Sequence, residues 1–484
     1  MPRKLRNRPG YPERGRTESV PEDIKLSVVS GRPMGNESTT DLMNKVLSEE
    51  NIKEAVRKVV GNRGAPGIDG MNVDELALYI EQHGLMLFHS LRTGEYEPSP
   101  VRRTEIPKPD GGTRELGVPT VVDRMVQQAI SQVLTEIYEP LFSDNSYGFR
   151  PGRSAHDAAW KVKEYYEQGY TVSVDIDLSK YFDTINHDIL MNIIRQDIGD
   201  KVLVNLIKKF LKSGVMTDGI VFETERGSPQ GGNLSPLLAN IYLSRFDRLM
   251  ESREHPFVRY ADDIVILARS KKTGKRIMRT VTEFLEETMK LKVNEEKSSV
   301  GSPCDTKFLG FRIIDGGDKG ALLGIHPKAM KRCKDRIRQI TTKNTHVTME
   351  DTLRNLSVYL RGWVNYYGLA TARSGIESMA KWARRRIRAK YLKQWKRTYT
   401  RGQNIKKIWK ETKHLPAYRG LWHELKSAHG IWALSNNWVA TNSMTNKYLE
   451  SQGFPKIVEL YDEAHSRLLN RRIPTGTYGG VRGR

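Results

Sequence analysis

The sequence predicts an α+β fold, and three observations carry that prediction. Residues 172–178 alternate strictly, with Val172, Val174, Ile176 and Leu178 on one face and Ser173, Asp175 and Asp177 on the other, which is the period of a strand. Residues 257–267 read as two short strands around Ala261-Asp262-Asp263. Beyond residue 326 the apolar residues recur at helical spacing, and Ile376, Met379, Ala383, Ile387, Tyr391 and Trp395 form one stripe.

The other elements follow in chain order. Residues 1–38 are polar and basic with scattered Pro and Gly, the composition of a flexible extension. Leu42, Val46, Leu47, Ile52, Val56 and Val59 predict a helical region. Gly61 to Gly70 is a Gly-rich loop. Residues 101–107 and 113–118 read as strands flanking Lys108-Pro109-Asp110-Gly111-Gly112, which is strong turn chemistry. Thr120 is placed to cap a helix with apolar positions from Val122 to Ile137. The tail from about residue 470 reads as flexible, and no repeat of solenoid spacing is present.

Composition narrows the function. The chain has 484 residues, 38% hydrophobic and 28% charged, enough for several domains around a large core. No apolar run of about 18 residues is present, so no membrane partner is expected. The basic N-terminus lacks the apolar stretch of a secretory signal. Two cysteines, Cys304 and Cys333, exclude a disulfide framework and a Cys-x-x-Cys zinc site, and a reducing cytoplasm is the simplest setting. The net charge is +22, and residues 326–410 hold 23 Lys and Arg against four acids, so +19 of it lies in that stretch. A basic region interleaved with aromatic residues is the footprint of a polyphosphate partner.

Three aspartates are oddly placed for structure. Asp262 and Asp263 are adjacent at a turn between apolar strands, and Asp177 lies on a strand whose other face is apolar. Adjacent acids beside buried strands repel and cost desolvation unless a cation neutralises them. Carboxylate oxygens with no His or Cys nearby in sequence suit Mg²⁺, with Mn²⁺ as a substitute. A pair of ions would give the cluster a chemical task in phosphoryl chemistry. An Asp-Asp pair in an exposed hairpin turn is the plain structural alternative. Asp175 shares a face with Asp177, so spacing alone does not choose between them.

Four motifs then appear in order. Val174-Asp175-Ile176-Asp177-Leu178-Ser179-Lys180-Tyr181-Phe182-Asp183 resembles the first carboxylate motif of reverse transcriptases, and Tyr260-Ala261-Asp262-Asp263 resembles their Tyr-x-Asp-Asp box. Arg226-Gly227-Ser228-Pro229-Gln230-Gly231-Gly232 with the following Leu234 to Ile241 resembles their nucleotide-binding motif, and Phe308-Leu309-Gly310-Phe311 their primer-side turn. Gly61 to Gly70, Tyr147 to Ser154 and Leu360-Arg361-Gly362-Trp363-Val364-Asn365-Tyr366-Tyr367-Gly368 are similar to markers of group II intron proteins, the last to the maturase segment. The likeness runs from about residue 40 to 400. It implies a right-hand polymerase with an antiparallel-sheet palm and a helical thumb. The expected divisions are a basic extension over 1–38, fingers and palm over 39–320, thumb over 321–400, and a DNA-binding region with a flexible tail over 401–484.

The resemblance also implies roles. Asp177, Asp262 and Asp263 match the metal-binding triad, with Asp177 preferred over Asp175 because an aromatic residue, Phe182, follows five positions on. Phe182 would pack on the sugar of the incoming dNTP and exclude a 2′-hydroxyl. Lys108 and Arg114 would hold its triphosphate, Gln230 its sugar or base, and Lys297 is a candidate proton donor to pyrophosphate. Tyr260 would abut the primer end, and Arg63 the template RNA. Arg361, Trp363 and a basic helix carrying Arg384, Arg385 and Arg388 would hold duplex and intron RNA through the backbone. The expected partners are RNA template, intron RNA, DNA primer or target and dNTPs, in a bacterial cytoplasm. A histidine-plus-cysteine-pair endonuclease signature is absent, so second-strand cleavage is not expected. The competing readings are a maturase that only promotes splicing, and a free-standing reverse transcriptase recruited to DNA repair or phage defence. The presence of the phosphate-holding residues opposes the first, and Ala261, usual in intron proteins, opposes the second. An RNA polymerase on the same palm is opposed by Phe182.

Overall fold

The computed structural model describes residues 40–107, 112–217, 220–222, 226–227, 231–342, 347–412, 421–427 and 430–470. The expected N-terminal extension, the Lys108–Gly111 part of the hairpin turn, Gln230 and the tail beyond residue 470 lie outside them. The chain forms two compact units, one from residues 1–143, 179–248 and 285–292, the other from 144–178, 249–284 and 293–484.

The first unit combines helices with a four-stranded sheet. The strands are β1 (Val101–Pro107), β2 (Thr113–Val118), β4 (Val215–Thr217) and β5 (Ile220–Phe222), in the order β2-β1-β4-β5. β1 and β2 form the expected antiparallel hairpin, which pairs Ile106 with Arg114. The single helical region expected over residues 42–59 is two helices, Leu42–Val46 and Glu49–Gly61. Ser48 divides them, because its hydroxyl accepts from the Asn51 amide and caps the second. Thr120 caps Val121–Tyr138 as its position predicts, accepting from the Asp123 amide at 3.1 Å. Val122, Met125, Val126, Ala129, Ile130, Val133 and Leu134 of that helix are buried.

The second unit is built on an antiparallel sheet of order β6-β7-β3-β8: β3 (Val172–Ile176), β6 (Phe257–Tyr260), β7 (Asp263–Ala268) and β8 (Ser299–Gly301). The expected strand over 172–178 ends at Ile176, and Leu178 makes an isolated bridge to Val293. Both faces of this sheet are covered. Lys271–Glu283 packs on the Val172–Val174 face, and Ala155–Glu167 packs against β6 and β7 on the face that carries Ser173 and Asp175. The alternation in β3 is therefore not an inside-outside pattern. Ser173 is fully buried and shares a hydrogen bond with the Thr306 hydroxyl at 2.7 Å.

Past the sheet, β9 (Phe311–Asp315) and β10 (Ala321–Ile325) form a hairpin, and the elements among the described residues beyond it are helices, as expected. Ile376, Met379, Ala383 and Ile387 are buried in the helix Arg373–Gln394, with Tyr391 and Trp395 packed at the edge of the same core. The helix Ile457–Asn470 closes that core against Met349–Tyr367 and Arg373–Gln394. The Tyr461 hydroxyl donates to the Ala370 carbonyl at 2.6 Å and accepts from the Ala372 amide at 2.9 Å.

Candidate active site

Register makes the site. β3 and β7 pair Asp175 with Val265 and Ile176 with Ile264, and Asp177 and Asp263 are the residues immediately beyond that last pair, at the same end of the sheet. β6 and β7 close at Tyr260 and Asp263, leaving Ala261 and Asp262 as a two-residue turn. One end of the sheet thus carries Asp177, Asp262 and Asp263, with Asp175 two residues deeper on the same face.

The electrostatics record the crowding. Burial, then the charges of Asp263 and Asp177, push the Asp175 carboxyl up to about 7, against a pull from Lys307. Partial desolvation, then the Asp262 charge, push Asp263 up to about 6 although its side chain reaches solvent; Lys307 opposes this and Asp177 adds to it. Among the described residues no group of three or more His, Cys, Asp or Glu side chains is already gathered closely enough to hold a metal ion. The donor set nevertheless fits a hard divalent cation, since every donor is a carboxylate oxygen and its neighbours are like charges that such an ion would neutralise.

The backbone around the triad is fixed from two sides. The Asn294 amide donates to the Asp177 carbonyl at 2.8 Å, and the Asp177 amide donates to the Ser298 hydroxyl at 3.1 Å. The same loop brings the Lys297 ammonium to 4.0 Å from the Asp177 carboxylate. On the other side, the Tyr147 amide donates to the Arg259 carbonyl at 2.8 Å, and the Arg259 amide to the Asn145 carbonyl at 2.9 Å. Gly148 lies so close to the turn that a β-carbon there would stand 2.3 Å from the Ala261 nitrogen. Ala261 itself has a φ of 56°, and the fully buried Arg259 donates to its carbonyl at 3.1 Å.

Of the residues expected in the second unit, Asp177, Asp262, Asp263, Tyr260 and Lys297 gather at this end of the sheet. Tyr260 is half-buried. The Phe308–Phe311 turn has positive φ at both Leu309 and Gly310, the geometry of a tight hairpin turn. The Tyr366 hydroxyl donates to the Leu309 carbonyl at 2.8 Å. Beside it lies a cleft of about 370 Å³ bordered by Lys307, Arg332, Tyr359, Trp363, Tyr366 and Tyr367. Arg361 is exposed, and Arg384 and Arg385 are half-buried. Arg385 donates to the Trp432 carbonyl at 2.9 Å and lies over that ring at 4.1 Å. Arg388 departs from the expected RNA-binding set. It is buried, its guanidinium donates to the carbonyls of Ser435 and Met444, and burial lowers its pKa to about 10. Its geometry is that of a residue joining helices inside the protein.

The first unit carries the remaining expectations. Arg63 is exposed with a φ of 46°, and Phe182 is buried with its ring edge-on to Tyr181 at 5.3 Å. Arg114 pairs through its backbone in β2, while Lys108 and Gln230 lie outside the described residues. Sequence reasoning missed Arg259, Ser298 and Lys307, and it held Gly148 only as part of the Tyr147–Ser154 marker, without its place against the turn. Of the three missed, only Arg259 left a signal, as a lone cation in the apolar strand Phe257-Val258-Arg259-Tyr260 next to an Asp-Asp turn.

Residues 106–313 match the family model described as reverse transcriptase (RNA-dependent DNA polymerase), and residues 330–409 match the group II intron maturase-specific domain. Protein YkfC of Escherichia coli (strain K12) is 33% identical over 314 residues, covering 56% of this chain and 82% of that protein. The group II intron-encoded protein LtrA of Lactococcus lactis subsp. cremoris is 29% identical over 430 residues, covering 69% and 72%. Among solved structures, the partial Cas6-RT-Cas1–Cas2 complex gives a TM-score of 0.33 at 26% identity, covering 51% of this chain and 41% of that one. Telomerase from Candida albicans, in complex with a TWJ fragment of telomeric RNA, gives 0.39 at 13% identity, covering 70% and 65%.

The protein is a reverse transcriptase, an RNA-directed DNA polymerase with an α+β fold. Within that class it belongs to the family of group II intron-encoded proteins, and its reverse transcriptase match is followed along the chain by the match to the maturase-specific domain. RNA and DNA binding follow from those two domains. No helix among the described residues is long and apolar enough to cross a membrane.

Proposed function

We propose that this chain copies RNA into DNA by nucleotidyl transfer at Asp177, Asp262 and Asp263, and that it also acts on a group II intron RNA as a maturase. The observation that carries the catalytic reading is the β3–β7 register, which ends at Ile176 and Ile264 and so leaves Asp177 and Asp263 as the next residues at one end of the sheet. These three carboxylates would hold two Mg²⁺ ions, or Mn²⁺ in their place. Such a pair, when bound, supplies activation of the primer hydroxyl and charge neutralisation at the leaving pyrophosphate.

The chain's own residues do the rest. Lys297, already within 4.0 Å of the Asp177 carboxylate, hands a proton to the departing pyrophosphate. Lys108 and Arg114 neutralise the triphosphate, and Gln230 touches the sugar or base. Phe182 leaves no room for a 2′-hydroxyl and so selects dNTPs. Tyr260 abuts the primer end. Arg63 holds template RNA, Arg361 with Arg384 and Arg385 holds duplex and intron RNA, and residues 401–484 hold target DNA during intron mobility.

Primer extension on an RNA template with dNTPs and Mg²⁺ tests this, comparing wild type with Asp262→Asn/Asp263→Asn. Full-length DNA from wild type, and none from the double variant while it still binds RNA, is the expected result. A wild type that extends nothing, yet promotes splicing as well as the double variant does, would leave a splicing-only maturase.

A further inference from the structure

Four carboxamides form one directed chain through the first unit. Asn233 donates through Nδ2 to Gln128 Oε1 at 3.0 Å, and Gln128 donates through Nε2 to Gln132 Oε1 at 3.2 Å. Gln132 donates through Nε2 to Asn51 Oδ1 at 2.6 Å and to the Asn51 carbonyl at 3.1 Å. Asn51 donates through Nδ2 to the carbonyls of Val46 at 2.8 Å and Ala129 at 3.0 Å. The direction follows from chemistry. Backbone carbonyls only accept, so Asn51 must present its nitrogen to them, and each further amide is then oriented in turn.

The chain ends on the segment that resembles the nucleotide-binding motif. Asn233 follows Gly231 and Gly232 there. Gly231 has a φ of 126°, and a β-carbon on it would stand 2.4 Å from the Gly117 carbonyl of β2. The Leu234 amide also approaches Gln127 Oε1, at 3.5 Å. The segment is therefore set against β2 on one side and tied through amides to the first helices on the other. A chain of aligned amide dipoles strengthens each of its bonds and resists displacement as a unit.

We propose that Gln128 and Gln132 are positioning residues for the incoming nucleotide, holding the Gly231–Leu234 segment in register through Asn233. The inference rests on the reading that this segment binds the dNTP. Both glutamines are half-buried and border a polar cleft of about 490 Å³. Water there can take up the hydrogen bonds that a leucine gives up, so their loss shifts the segment rather than unfolding the protein.

The test is steady-state single-nucleotide incorporation by the full chain on an RNA template with a DNA primer. The variants are Gln128→Leu, Gln132→Leu and the double, with Gly231→Ala as the control on the segment. Each single variant should raise KM for dNTP about five- to twentyfold, the weight of one or two net hydrogen bonds. kcat, melting temperature and RNA affinity should stay unchanged. The double should be no worse than either single, because both act through one chain. If Gly231→Ala raises KM but the glutamine variants do not, the relay is overturned and the nucleotide-binding reading stands. If Gly231→Ala also leaves KM unmoved, that reading falls and takes the inference with it. Effects that multiply in the double, or that lower the melting temperature and kcat together, assign the glutamines to plain structure and overturn the proposal.

Discussion

The guanidinium of Arg259, with no solvent exposure, donates to the carbonyl oxygen of Ala261 at 3.1 Å, so a buried cation fixes the turn that carries Asp262 and Asp263. Arg259→Met keeps the bulk but strands a buried carbonyl. It should cost about 1–3 kcal/mol of stability and lower primer extension by more than about tenfold. Thermal melts and single-turnover rates on the same samples check both; a variant with wild-type extension would mean the turn holds itself.

Gly148 braces that turn from outside. Gly148→Ala would drive a β-carbon to 2.3 Å from the Ala261 nitrogen, and neither backbone can yield cheaply. We expect loss of extension with helical content retained. Circular dichroism beside an activity assay reads both.

The raised carboxyls make the metal-free protein sensitive to pH. Asp175 at about 7 and Asp263 at about 6 lie above the ordinary carboxylate value of about 4, so the folded state binds more protons than the unfolded between those limits. Stability from these groups is present at low pH and is lost as pH rises from about 4 to 7. In EDTA, Asp175→Asn should melt with wild type near pH 4 and progressively above it toward pH 7. A gap that stays constant with pH would contradict this assignment of the crowding.

Arg361 and Arg388 should behave oppositely. Arg361 is exposed, so Arg361→Ala should weaken RNA binding and reduce the salt slope by about one. Arg388 is buried on the carbonyls of Ser435 and Met444, so Arg388→Met should lower the melting temperature, at a cost of about 1–3 kcal/mol, and leave the salt slope alone. Melting curves and RNA titrations at several salt concentrations separate the two.

Much of this was legible in the chain because it is local. The alternation at 172–176, the turn at 261–262, the cap at Thr120 and the stripe from Ile376 to Ile387 each declare themselves within a few residues. The rest is long-range. That Ala155–Glu167 covers the Ser173 and Asp175 face depends on packing that alternation does not encode. The run from Gln132 to Asn51 spans 81 residues, and from Asn233 to Gln128 spans 105, so no window reveals the relay. Arg388 sits in a basic helix where periodicity counts charge, and only tertiary contact with Ser435 and Met444 shows that it points inward.

The proposed site takes Asp177 and leaves out Asp175. Single-turnover extension with Asp177→Asn and Asp175→Asn, at matched RNA affinity, tests it directly. The register predicts that Asp177→Asn loses about a thousandfold or more in rate, roughly 4 kcal/mol, while Asp175→Asn stays within about tenfold of wild type. An active Asp177→Asn enzyme, or an Asp175→Asn enzyme as dead as the Asp262→Asn/Asp263→Asn variant, would contradict it.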